Sequence, residues 1–285
     1  MAALALARAA YFAAALLLFG STALMLLIRA RLPHIPRVGL PRLRWSALAL
    51  ALIAAILWFV LATAQMAGDP VAALKLATLA QAASDTLFGW GFLARLAALM
   101  LLGAALIFRR DAAALAASGV ALAAPALTSH AATTSPAHFA AIGITMDAVH
   151  LFTAGFWIGG LAVLAALFAR RAAQADLLLV LGLFSEWAMM AVLLLAMTGL
   201  IDGAQILLGT PGRASPLYLG VLGLKLACVA AMLILAVLNR FRLMPNLIAG
   251  DAEARLKRNI ALELGLGLAA IALAGLLGQL APTMS

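Results

Sequence analysis

Three of the four histidines in this chain lie in one stretch of sequence, residues 130–161. His130 and His138 flank a polar segment, and His150 lies in the apolar run that follows it. Pro136, just before His138, suits the start of a helix. Because an imidazole nitrogen can ligate copper, zinc, iron or nickel, this stretch is a candidate metal site.

Two further potential ligands share a helical face with His150. Met146 lies four residues before it and Asp147 three residues before it, so all three side chains meet on one side of a helix. Thioether sulfur suits cuprous copper, and a carboxylate can ligate a metal or orient a ligating imidazole. The candidate copper ligands are therefore His130, His138, His150, Met146 and Asp147. The alternative is that His150 is a hydrogen-bonded packing group inside a helix.

The composition indicates an integral membrane protein. The chain has 285 residues, of which 67% are hydrophobic and only 10% are charged, whereas soluble domains carry about 25% charged residues. Apolar runs of about 18 or more residues recur, and each can cross the roughly 30 Å hydrocarbon core as a helix. The runs are rich in Ala and Leu, which favour helices. They lack the alternation over about 10 residues that is typical of a membrane barrel.

We therefore predict an all-α integral membrane protein with eight transmembrane helices in one bundle, forming a single transmembrane domain over residues 1–285. The predicted spans are 9–28, 45–66, 86–108, 112–127, 138–168, 177–208, 216–238 and 260–280. The fourth is short, and the fifth and sixth are longer than a bilayer needs. Residues 69–85 form either an interfacial helix or a plain loop.

The distribution of basic residues predicts the orientation. Fourteen of the 19 Lys and Arg residues lie in four alternate loops, which places those loops in the cytoplasm by the positive-inside rule. Both termini and the loop with His130 are then periplasmic, in a bacterial inner membrane. The net charge of +9 comes mainly from the basic residues of these loops, which determine the orientation in the membrane. We expect no nucleic-acid partner, since no soluble basic domain is present.

Several charged residues lie inside the predicted spans. At a rise of about 1.5 Å per residue, Arg95, Asp147, Asp202 and Lys225 fall in one layer of the outer half of the membrane. Ionisable groups at such depths face the bundle interior or a cavity. Two interpretations remain: a polar cavity with His150 at its floor, or ion pairs that only lock helices together.

Two methionines of the sixth span, Met190 and Met197, are seven residues apart and share a helical face. Methionine usually fills gaps in packing. The alternative is a path of thioether sulfurs along which copper moves inward.

Four ordered segments support a more specific hypothesis. They are SHA at 129–131, DAVHLFTAGFWIGGL at 147–161, FSEWAMMAVLLLAMTG at 184–199 and YLGVLGLKLACVAAMLILAVLNR at 218–240. In order and spacing they resemble the copper resistance protein D (CopD) family, and FGWGFLARL at 88–96 is similar to its third helix. Ser129 departs from the family, in which Gly is common at that position.

The resemblance implies an eight-span inner-membrane protein that moves copper from periplasm to cytoplasm, often beside a periplasmic copper-binding protein. By position it implies that His130 and His150 contact copper, supported by Asp147, Trp157, Asp202 and Lys225. Arg95 completes this predicted supporting layer, whereas His138 and Met146 come from spacing alone.

We expect no enzymatic activity. We also expect no ATP-driven pumping, because the sequence has no GxxxxGK[ST] motif. Two alternative functions remain. One is a haem-binding electron carrier or metalloreductase, which needs axial histidine pairs on facing spans. The other is a protein that docks copper and delivers it without transport.

Overall fold

The computed structural model of this chain describes residues 2–35, 40–71, 73, 75–128, 137–170, 173–209, 215–247 and 251–281. Nine α-helices occupy most of these residues. They are α1 (Ala2–Arg31), α2 (Pro41–Ala67), α3 (Leu76–Asp85), α4 (Leu87–Ile107), α5 (Asp111–Ala123), α6 (Ala137–Ala169), α7 (Gln174–Gly209), α8 (Pro216–Leu238) and α9 (Ala252–Leu277). The described residues contain no strand.

Eight of the helical segments are long and apolar enough to cross a membrane, which confirms the predicted all-α fold and its eight spans within the described residues. The fourth of them is short because α5 ends at Ala123 and continues only as a 3₁₀ helix, Ala124–Thr128. Of the two alternatives for residues 69–85, a helix is present, since α3 occupies the second half of that segment.

Helix α1 is the centre of the bundle and packs against α2, α5, α6 and α9. Its crossing with α6 is built from glycines. A Cβ on Gly20 would collide with the backbone of Gly155, and a Cβ on Gly159 would collide with the backbone of Gly20 and Ser21. Small residues let two membrane helices approach to backbone contact, where van der Waals packing holds them. This contact holds α6 firmly against α1.

Polar contacts reinforce α1 along its length. The Tyr11 hydroxyl is fully buried and donates a hydrogen bond to the Ala121 carbonyl of α5. At the far end of α1, Arg29 forms an ion pair with Asp111, the first residue of α5. Arg44 of α2 lies 3.8 Å from the same carboxylate. The contacts of Arg29 and Arg44 with Asp111 hold α1, α2 and α5 together at the end of the bundle opposite the N-terminus.

Helix α8 leaves the regular geometry at its C-terminal end. Residues Asn239–Leu243 form a π-helical turn, in which the Met244 N–H donates to the Asn239 carbonyl. A short 3₁₀ turn, Met244–Asn246, follows. Such π-turns are rare and occur frequently at functional sites.

Candidate metal centre

A cavity of about 600 Å³ opens at the end of the bundle where the chain begins. Asp147 and His150 of α6 both line it. The walls come from the N-terminal part of α1, the ends of α2, α5 and α9 and the start of α4. They include Leu4, Arg8, Phe12, Trp58, Ala62, Gln65, Met66, Phe88, Pro125, Thr128, Gly278 and Gln279. We call it the His150 cavity.

The His150 ring is held by a neighbouring helix. Its Nδ1 lies 2.9 Å from the hydroxyl oxygen of Thr198, a buried residue of α7. The Thr198 hydroxyl itself lies 2.9 Å from the Leu194 carbonyl of its own helix, to which it donates. We assign its single proton to that carbonyl, which makes the imidazole Nδ1–H the donor to the Thr198 oxygen. The Nε2 lone pair is then available to a metal, the arrangement typical of ligating histidines.

Three charged groups accompany the histidine. Asp202 of α7 interacts electrostatically with both Asp147 and Lys225, and Lys225 of α8 also interacts with His150. The structure thus brings together four of the predicted residues, from three helices. A carboxylate beside a ligating imidazole adds a hard oxygen donor and negative charge that favours a cation.

The remaining predicted ligands are less defined. His130 lies outside the described residues, and the side chain of His138, near the start of α6, is also outside them. Met146 is half-buried one turn before His150 but is not among the residues that line the cavity. Within the described part of the chain, no group of three His, Cys, Asp or Glu side chains could hold a metal ion.

Arg95 belongs to a different environment from the one that its depth suggested. It is 1% exposed and lies over the Trp58 ring, 4.2 Å from the ring centroid. Its Nε donates to the Gly91 carbonyl of its own helix, and it makes no ion pair among the described residues. Aromatic faces attract a guanidinium that is removed from water. Arg95 therefore does not neutralise Asp147 or Asp202 by direct contact.

Trp157 also lies apart from the His150 cavity. It lines a second cavity, of about 170 Å³, together with Glu263 of α9. We call this the Glu263 cavity. Trp157 follows His150 by seven residues on the same face of α6, but this shared face does not place it beside the other predicted residues.

The methionines predicted as a path lie on the exposed side of α7. Met190 is 58% exposed and Met197 is 59% exposed, and neither lines the two cavities described above. Met189, their neighbour, lines the Glu263 cavity instead.

Several cavity residues were missed by the sequence analysis. Gln65 and Met66 end α2, Arg8 lies early in α1 and Gln279 follows α9, and all four line the His150 cavity. The sequence offered only weak evidence that these residues line a cavity, namely a glutamine and a methionine at the outer end of the second predicted span. Met66 adds a soft sulfur to the cavity that holds His150.

Two family models match this chain. The model described as "Copper resistance protein D-like, N-terminal domain" matches residues 1–140, and "Copper resistance protein D" matches residues 178–277. The first match includes the segments FGWGFLARL at 88–96 and SHA at 129–131. Residues 141–177, which include Asp147 and His150, lie between the two matches, so neither bears on the DAVH motif.

A curated relative points the same way. The chain is 32% identical over 121 residues to "Copper transport protein CutJ" of Bacillus subtilis (strain 168). The match covers 41% of this chain and 22% of that relative's length. No solved structure matches the chain.

Proposed function

This chain belongs to the copper resistance protein D family, and we propose that it binds copper in the His150 cavity and passes it from periplasm to cytoplasm. The single observation that carries the proposal is the setting of His150. Its Nδ1 is engaged by Thr198 at 2.9 Å, and the side chain lines a cavity shared with Asp147. A ring fixed through one nitrogen presents the other as a ligand.

The cavity offers donors of suitable chemistry for copper. His150 provides an imidazole nitrogen, Asp147 a carboxylate and Met66 a thioether. Nitrogen and sulfur donors suit copper better than they suit calcium or magnesium. Copper is the cargo in this proposal, so a weakly completed ligand set is an advantage, because the ion must also leave.

The predicted topology puts this cavity on the periplasmic side, where the loop that carries His130 also lies. We propose that copper reaches His130 and His138 first and His150 second, by exchange of ligands. A periplasmic copper-binding protein is the proposed donor. The exposed positions of Met190 and Met197 give no support to the second half of the predicted path.

The haem alternative is disfavoured by the donor set. The partner of His150 on the facing helix is the hydroxyl of Thr198. No second histidine lines the His150 cavity among the described residues, so they offer no axial pair across facing spans. An absorbance spectrum of the purified protein tests this, because a Soret band contradicts the copper proposal.

Copper binding and uptake test the proposal directly. We expect purified protein to bind copper in competition with a chromogenic chelator, and sealed vesicles that contain it to accumulate copper. His150→Ala removes the central ligand and should abolish both. Thr153→Val is a matched control, because the Thr153 hydroxyl donates only to carbonyls of its own helix.

The outcomes separate the alternatives. Binding without uptake supports docking and delivery rather than transport. Uptake that survives both His130→Ala and His150→Ala contradicts the site.

A further inference from the structure

A second polar cluster lies in the other half of the bundle, away from the His150 cavity. Its centre is the Glu263 carboxyl group, which is 2% exposed. The Asn239 amide donates to Glu263 Oε1 at 2.6 Å, and the Asn259 amide donates to Asn239 Oδ1 at 2.7 Å. Trp157 of α6 lines the same cavity as Glu263. The two hydrogen bonds join α9 to the π-helical turn, and α6 lies beside them.

The hydrogen-bond donor to Glu263 among the described residues, the Asn239 amide, is neutral. No described Lys or Arg makes an ion pair with this carboxyl group. A buried carboxylate without a cation is costly inside a membrane. The Asn239 donor offsets part of that cost by stabilising the ionised form. Burial therefore favours the protonated form of Glu263, whereas this hydrogen bond favours the ionised form.

A cavity lies beside the Glu263 carboxyl group. It holds about 170 Å³ and is lined by Glu263, Asn239 and Ser185 together with apolar side chains, which is room for several waters. Arg240, from the π-helical turn, is the one other charged side chain among the described lining residues, and it donates to Ser185 Oγ. The described lining residues from α6, α7 and α8 carry no titratable group.

The two cavities are joined by α6. His150 and Trp157 are seven residues apart, which is two helical turns, or about 10 Å, along one face. His150 contacts α7 through Thr198, and Trp157 lines the Glu263 cavity together with Glu263 of α9. A shift of α6 relative to its neighbours therefore changes both sites together.

We propose that Glu263 is a proton-binding site whose loading from the Glu263 cavity is coupled to copper movement through the His150 cavity. The step is an acid–base exchange: the carboxylate takes a proton from hydronium and later returns it to water, with no change of oxidation state. The coupling rests on the proposed copper transport, whereas the proton site does not.

Labelling of the full-length protein with dicyclohexylcarbodiimide tests the proton site without a variant, because this reagent modifies protonated carboxyl groups in apolar surroundings. We expect mass spectrometry to find the label on Glu263, with a rate that falls as pH rises. Asp251, which is exposed and precedes α9, is the internal control. Absence of label on Glu263 at every pH overturns the proposal. Protection by Na⁺, K⁺ or copper at constant pH also overturns it, in favour of a metal-cation site.

Vesicle uptake tests the coupling. We expect a transmembrane pH difference to change the rate of copper uptake by the wild type and by Asp251→Asn. The response should be lost in Glu263→Gln, while copper binding at the His150 cavity persists. A full response in Glu263→Gln overturns the coupling. If the wild type takes up no copper, the proposed function fails and coupling fails with it, whereas the labelling result still decides the proton site.

Discussion

Substitution of Thr198 by valine should weaken copper binding without unfolding the protein. Valine keeps the shape of threonine but removes the oxygen that accepts from His150 Nδ1–H at 2.9 Å. A buried N–H without an acceptor costs about 1–3 kcal/mol. The ring avoids this cost by moving its proton to Nε2, which blocks the ligating nitrogen. A metal that binds Nε2 must return the proton to Nδ1, so the free energy of the unpaired buried N–H is subtracted from the free energy of metal binding.

That cost corresponds to a loss of affinity of about 5–150-fold, since about 1.4 kcal/mol is tenfold, and it overlaps the range of about 10–100-fold for residues that orient metal ligands. Competition titration of wild type, Thr198→Val and Thr198→Ser measures it, and we expect serine to retain affinity through its hydroxyl. The matched control Thr153→Val should stay within about twofold of wild type. Wild-type affinity in Thr198→Val, or an equal loss in the control, refutes the proposed orientation of His150.

Three further predictions concern packing, path and charge. Gly159→Ala should cause misfolding or loss of expression, because its Cβ collides with the backbone of α1. Gly182→Ala should be tolerated, because its Cβ would point into open space. Equal thermal melting of the two variants contradicts this prediction. Leucine at both Met190 and Met197 should leave copper uptake near the wild-type rate, since both side chains are exposed. A large loss of uptake in this variant supports the path of methionine sulfurs instead. Arg95→Met should keep stability within about 2 kcal/mol of wild type in melting experiments, because the guanidinium makes no ion pair with any acidic side chain that the structure describes. A loss of about 3–5 kcal/mol indicates a buried ion pair instead.

The sequence predicted the general architecture well. Long apolar runs require helices in a bilayer, because unpaired backbone groups cannot be left in hydrocarbon, and eight described helical segments fit that prediction. The face shared by Asp147 and His150 also followed from helical periodicity alone. The family resemblance, based on ordered segments of the C-terminal half, agrees with the family models. The single domain and the periplasmic termini remain predictions.

Depth in a span did not predict the partners of the buried charges. Arg95 and Lys225 lie at similar predicted depths, yet Arg95 packs on Trp58 and Lys225 interacts with Asp202. Depth gives only one coordinate, along the membrane normal. The direction in which each helix faces its neighbours is set by packing, and two residues at one level can lie on opposite sides of the bundle.

The sequence by itself determined that this chain is helical, crosses a membrane and carries His150 beside Asp147 on one helical face. Only the tertiary structure decided that Thr198, forty-eight residues away, holds the imidazole, and that Trp157 lines the Glu263 cavity instead of the His150 cavity. The physical reason is that local periodicity fixes the face of a helix but not the helix opposite it. That choice depends on close contacts such as the glycine crossing of α1 and α6, which bring distant segments together.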